Sequence, residues 1–252
     1  RLESTTRREP RPARGREYSA PMRPMLVVLG ACFLAAAGAA AAADGEPRRA
    51  ITQKDQTLAR SIVLKRGDLG AGFTTQKRPA DEPLPKGARC DALDESDLTV
   101  SGDANSPDFR LAATGVFVTV GSSAHVYRTL REANTSWTRG TSQQTLVCLA
   151  DIVRLSATPS QKIKVVSSTE LSFPKLAPRT SAYRVVVTIA SGTQPPVRAY
   201  VDAIVLQRGR VQSVLLFTSL VRPLSKTEET LLAGVMAGRM EKATKPGGGL
   251  VA

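Results

Sequence analysis

Between Lys162 and Val221 the hydrophobic period of the chain is two, and this stretch limits the available folds more than any other. Four segments, "KIKVVSSTELSF", "AYRVVVTIA", "VRAYVDAIVLQ" and "VQSVLLFTSLV", are rich in Val, Ile, Thr and Tyr. They are separated by Pro174 and Pro178, by "SGTQPP" and by Arg208-Gly209-Arg210, connections too short to carry a parallel crossover. The spacing therefore predicts an antiparallel meander. In its second strand Tyr183, Val185, Val187 and Ile189 alternate with Arg184 and Thr188, so one face of the sheet is more hydrated than the other.

Such a sheet needs helices to cover it, and the flanking sequence offers them. Thr52 to Arg66 opens with Thr52 and Asp55 in a near capping box, puts Leu58 and Ile62 on one face, and stops at Gly67. Residues 67 to 108 are rich in Gly, Pro and Asp and are expected to be irregular. Leu111 to Val120, "LAATGVFVTV", suits a buried strand. Ser122 or Ser123 is then expected to cap a helix with Val126, Tyr127, Leu130, Ala133 and Trp137 on one stripe, broken by Gly140. Thr141 and Gln144 suit a second capping box, before a stripe of Leu146, Leu149, Ala150 and Val153. Ser225-Lys226-Thr227-Glu228 is the clearest capping box, and Leu231, Leu232, Val235, Met236 and Met240 extend it as an amphipathic helix. The expectation is one α+β domain over residues 44–244, an antiparallel sheet of about five strands covered by helices, followed by a flexible tail at 245–252.

The amino-terminal region reads as a targeting segment. Met22-Arg23-Pro24, the apolar run Met25 to Ala43 and the polar start at Asp44 match a secretory signal peptide over 22–43, and 1–21 is expected to lie outside the native protein. Leu29-Gly30-Ala31-Cys32 also resembles a lipobox, so lipidation at Cys32 is the alternative to free secretion. Residues 1–43 hold seven Arg and three Glu, which leaves 35 − 7 = 28 basic and 22 − 3 = 19 acidic residues, a net of +9. That balance allows peripheral contact with anionic surfaces. Nucleic acid is excluded as a partner because the charges are scattered and no basic run is interleaved with aromatics. The 25 Arg against 10 Lys point to a bacterial genome of high G+C content.

Beyond Cys32 only Cys90 and Cys148 remain, and an even pair in an exported protein predicts one disulfide. Cys90 opens the acidic stretch "RCDALDESDLTVSGDANSPDF". Its carboxylates, Asp91, Asp94 and Asp97 foremost, are weak calcium candidates, because the spacing is not that of an EF-hand loop; no metal is expected, and the stretch reads as a solvated acidic loop. The single histidine, His125, stands beside the expected helix start and is read as an exposed side chain rather than a catalytic base. No nucleotide-loop, dinucleotide or nucleophile-elbow motif is present, so no catalytic residue and no cofactor is assigned. A hydrolase whose carboxylates assemble only in the fold stays as the alternative, although aromatics at 4% are sparse for sugar stacking.

The order of elements, with "AATGVFVTV", "SSAHVYRTLREANTSW" and "SWTRGTSQQTLVCL" before the run of strands and the last helix, resembles secreted sensor-like domains of actinobacteria. These include the extracellular domains of PknH-type receptor kinases and the wider PsbP-like α-β-α sandwich. The resemblance implies a PsbP-like fold and a non-catalytic binding or sensing role in the cell envelope, with a small apolar ligand, a lipid or an envelope component as partner. This chain departs from the PknH-type pattern, which has two disulfides, and the resemblance transfers no site residue.

Overall fold

A computed structural model describes residues 45–78, 85, 87–113 and 115–245. The segment expected to be a signal peptide, with Cys32, and the tail after Lys245 lie outside the described residues. The described residues are α+β: they form nine strands in one mixed sheet, and four α-helices.

The meander forms as its period predicts. β6 (Gln161–Glu170), β7 (Arg179–Ser191), β8 (Val197–Arg208) and β9 (Val211–Leu220) are neighbours in chain order, each antiparallel to the next. Arg208 pairs with Val211, so β8 and β9 are joined by two residues, and Gly209 takes φ 58°, which a residue with a Cβ adopts at a cost.

The sheet continues past β9: the strand predicted at Leu111–Val120 falls across two paired strands, Asp108–Ala113 and the start of Val116–Tyr127, and three more strands are not predicted by the sequence. β5 (Val116–Tyr127) runs the full length of β9, and on its other edge carries β4 (Asp108–Ala113) and β3 (Thr99–Asn105) end to end. β2 (Thr74–Gln76) pairs with β4, and β1 (Arg48–Arg49) lies parallel to β3, which makes the sheet mixed rather than purely antiparallel. The count of nine against five comes from β2 and β3, within residues 67–108 where composition predicts irregular chain, from the short β1, and from the division of the predicted 111–120 strand between β4 and β5. "TVSGDAN" is a poor strand by propensity, and pairing with β5 overrides it.

One helix presses on β3. α1 (Gln53–Ile62) starts at Thr52, whose hydroxyl accepts from the Asp55 N–H at 3.2 Å. Beyond the two-residue β1, the Gln56 side-chain amide takes over the strand edge, donating to Asp103 O at 2.8 Å and accepting from Asp103 N at 3.1 Å. Gly102 permits this approach, since a Cβ there would stand 2.2 Å from the Asp55 carbonyl oxygen. α4 (Lys226–Thr244) begins at the predicted Ser225–Glu228 capping box and packs beside α1. Its buried stripe is Leu232, Ala233, Met236, Ala237 and Met240, whereas Leu231, expected on that stripe, faces solvent.

The expected helix from Ser122 is instead the end of β5. Ser122, Ala124 and Val126 face one way and Ser123, His125 and Tyr127 the other, and each residue has a register partner on β9 or β3. α2 (Leu130–Gly140) waits for a stronger start, a complete capping box in which Thr129 Oγ1 accepts from the Glu132 N–H and the Glu132 carboxylate accepts from the Thr129 N–H. α3 (Gln143–Leu155) is preceded by Ser142 rather than by Thr141, and no side-chain cap bond forms. Its buried face is Thr145, Cys148, Asp151, Ile152 and Val153, one step round from the predicted stripe.

α1 and α4 cover one face of the sheet around Phe109, Phe217 and Ile204; α2 and α3 cover part of the other, where Val153 joins Val185, Val187 and Ile189. Under α4, Arg184 binds Asp202 through Nε and Nη2 at 2.5 and 2.9 Å and reaches Glu229 at 3.4 Å. One guanidinium thus faces two buried carboxylates. Burial, together with the Asp202 carboxylate, pushes the Glu229 carboxyl up to about 8.

Candidate functional site

On the α2–α3 face, a cleft between the sheet and the helices lies over the end of β5 and the start of β9. Register sets its floor: Ser123 pairs with Val214 and His125 with Gln212 on β9, and Val205 and Ala203 of β8 pair with Val214 and Leu216. Tyr183 of β7 lies beside Ala203. Ser136 and Gly140 of α2 and Thr145 and Leu149 of α3 form the opposite wall. Leu93 and Glu95, from the acidic stretch, close the end. The enclosed cleft has a volume of about 110 Å³.

The acidic stretch is tethered beside this cleft and contributes Leu93 and Glu95 to its wall, while Asp91, Asp94 and Asp97 stay exposed to solvent, as expected. Cys90 and Cys148 form the predicted disulfide, with Cα atoms 4.8 Å apart. Beside it Arg89 donates through Nε and Nη2 to Asp151 at 2.7 and 3.1 Å, and the two arginines Arg89 and Arg154 hold that buried carboxyl far below its usual range. Arg139 of α2 donates to the Asp94 carbonyl at 2.6 Å and to both oxygens of Asp97 at 2.5 and 3.0 Å, which lowers Asp97 in turn. These three fixings place Leu93 and Glu95 at the cleft.

The calcium candidates are spent in this way. Asp97 is taken by Arg139, Asp94 Oδ1 accepts from the Ser96 N–H at 2.9 Å, and Asp91 starts a short 3₁₀ turn on the surface. Among the described residues no three His, Cys, Asp or Glu side chains are grouped to hold a metal ion. Asp103 and Asp108 are strand residues: Asp103 pairs with Arg49, and burial pushes Asp108 up to about 6.

His125 is likewise not beside a helix start. It lies within β5, lines the cleft, and stacks near Tyr127 with ring centroids 6.4 Å apart. Its Nε2 is 3.9 Å from Asp103 Oδ1, and its Nδ1, though buried, has no hydrogen-bond partner. Ser123 Oγ is also buried without a partner, so Ser123 and His125 do not form a nucleophile–base pair. Two unpaired polar atoms lining one small cleft are unusual, because an unmet buried group costs about 1–3 kcal/mol.

The remaining polar groups of the cleft form a chain. Tyr127 Oη lies 3.0 Å from a Glu95 oxygen and 2.7 Å from Ser136 Oγ, which lies 2.8 Å from the Gln212 side-chain amide. Burial and the Glu95 charge push the Tyr127 hydroxyl well above its ordinary value, so it stays protonated and donates to Glu95. Three contacts then share two hydroxyl protons. Ser136 Oγ donates to Gln212 Oε1 and Tyr127 Oη to Glu95, so both hydroxyl protons are spent within the chain of contacts.

None of Ser123, Tyr127, Ser136 or Gln212 stands out in the sequence. The usable signal is the alternation Ser123, His125, Tyr127 inside an apolar segment, which reads as one polar strand face once the segment is known to be a strand. No helix among the described residues is long and apolar enough to cross a membrane. In comparisons with known proteins, no family model and no curated protein matches this chain.

Proposed function

We propose that this chain is an exported, non-enzymatic binding or sensor-like domain of the bacterial cell envelope, and that its ligand occupies the cleft between β5, β9 and the α2–α3 pair. One observation carries the reading: Ser123 Oγ and His125 Nδ1 are unpaired polar atoms in a cleft whose other polar side chains, Glu95, Tyr127, Ser136, Thr145, Tyr183 and Gln212, are hydrogen-bonded within the protein. The disulfide that fixes the cleft wall supports an oxidising compartment. Helices on both faces of one sheet support the PsbP-like sandwich as the finer description of the fold. The cleft volume of about 110 Å³ favours a small molecule over a lipid chain, since drug-sized sites run to roughly 300–1,000 Å³.

The hydrolase reading has less behind it. The closest buried carboxylates, Asp202 and Glu229, share Arg184 beneath α4 on the opposite face and do not flank a cleft. Ser123→Ala tests the binding reading. Removing an unpaired buried hydroxyl is expected to leave unfolding free energy unchanged or up to about 1 kcal/mol higher, while weakening the binding of small ring compounds seen by ligand-observed NMR. Destabilisation by more than about 1 kcal/mol would show that the hydroxyl serves the fold, and would sink the reading.

A further inference from the structure

Resting on the cleft as the binding site, we propose the chemical class of its ligand: a compact molecule of about single-ring size, uncharged or cationic, that presents an N–H or O–H donor to His125 Nδ1. Charge is the first ground. The chain carries 35 Lys and Arg, yet none of them lines the cleft, and the one carboxylate among the lining residues is Glu95. An anionic ligand would enter against that carboxylate with no cation to meet it, a loss of desolvation energy without return.

Hydrogen-bond polarity is the second ground. Asp103, which sits across from His125 on β3, places a carboxylate 3.9 Å from Nε2. In the neutral ring this favours the proton on Nε2 and leaves the buried, unpaired Nδ1 as an acceptor. Tyr127 and Ser136 spend their hydroxyl protons inside the protein, Tyr127 on Glu95 and Ser136 on Gln212 Oε1. Ser123 Oγ can serve either way. His125 Nδ1 is thus an acceptor with nothing to meet it, and a ligand N–H or O–H supplies the missing donor.

Size is the third. A cavity of about 150 Å³ lined by apolar side chains holds benzene, and 110 Å³ is smaller, so the ligand is of single-ring size at most. The walls suit a ring: Tyr127, Tyr183 and His125 offer faces and edges, and Leu149, Val205 and Leu216 complete the apolar surround.

Phenol, toluene and benzoate make the test, because toluene has the shape of phenol without the donor and benzoate adds an anion. The chain has one histidine, so its two ring nitrogens give an unambiguous ¹H–¹⁵N signature in the intact protein. The expected results are a pyridine-like Nδ1 in the free protein that shifts on adding phenol, binding of phenol at least about tenfold tighter than toluene, and no binding of benzoate. Toluene binding as tightly as phenol, benzoate competing with phenol, or a protonated Nδ1 in the free protein would overturn the donor assignment while leaving the cleft reading intact. Ala203→Phe, which fills the cleft from β8, is expected to abolish phenol binding with an unchanged circular dichroism spectrum. If phenol shifts no His125 signal in the natural protein, or binds equally to the folded variant, the cleft reading falls and the ligand class with it.

Discussion

Glu229→Gln is the substitution whose effect follows most directly from the structure. Glu229 is 1% exposed, faces Arg184 and Asp202 beneath α4, and has its carboxyl pushed up to about 8 from an ordinary 4.5. Between those values the folded state holds a proton that the unfolded state releases, so raising the pH favours unfolding. The stabilising contribution is complete below about pH 4.5 and is lost as the pH rises through 8. One proton changes stability by at most about 1.4 kcal/mol per pH unit, and integrating between pH 5 and pH 9 gives a loss of about 4 kcal/mol. Glutamine has the same shape and stays neutral, so the variant should lose this dependence. Asp108, pushed up to about 6, acts in the same direction and must be subtracted by working with the difference between the two proteins. Urea unfolding at pH 5 and pH 9, followed by the fluorescence of Trp137, the single tryptophan, measures that difference. The variant should gain about 4 kcal/mol relative to the natural protein on going from pH 5 to pH 9. A difference that is the same at both pH values, within about 0.5 kcal/mol, would refute the protonated Glu229.

Two further outcomes follow from the same structure. Replacing both Cys90 and Cys148 with Ser removes a link across 58 residues, worth about 4 kcal/mol by chain entropy, and should also raise amide hydrogen exchange across Asp91 to Glu95 more than in the meander. Equal protection of that segment with and without the link would mean that Arg89–Asp151 and Arg139–Asp97 hold the cleft wall by themselves. Gly102→Ala drives a methyl group against the backbone of Asp55 and should cost about 1–3 kcal/mol in denaturant titration; a loss below about 0.5 kcal/mol would show that α1 rides over β3 more loosely than its contacts indicate.

The features legible in the sequence are those encoded within a few residues. The meander from β6 to β9 announces itself through period two and its turn residues, and the starts of α1 and α4 through Thr52 and the Ser225–Glu228 box, because a cap is satisfied by the backbone three residues away. The Cys90–Cys148 pairing needed only that two cysteines remain once Cys32 is set aside.

What the tertiary structure alone decided lies where the local signals compete or are weak. Val126, Tyr127, Leu130 and Ala133 satisfy a helical stripe on paper, and Ser122 or Ser123 would cap it; β9 and β3, distant in the chain, hold residues 122–127 extended by pairing on both edges. "TVSGDAN" becomes a strand only because β5 lies on one side and the Gln56 amide on the other. Both decisions rest on hydrogen bonds between residues far apart in sequence, which no local pattern encodes. The cleft follows from them: turning 122–127 from helix to strand moves Ser123 and His125 from an expected exposed cap to a buried face, where their unpaired atoms acquire a meaning.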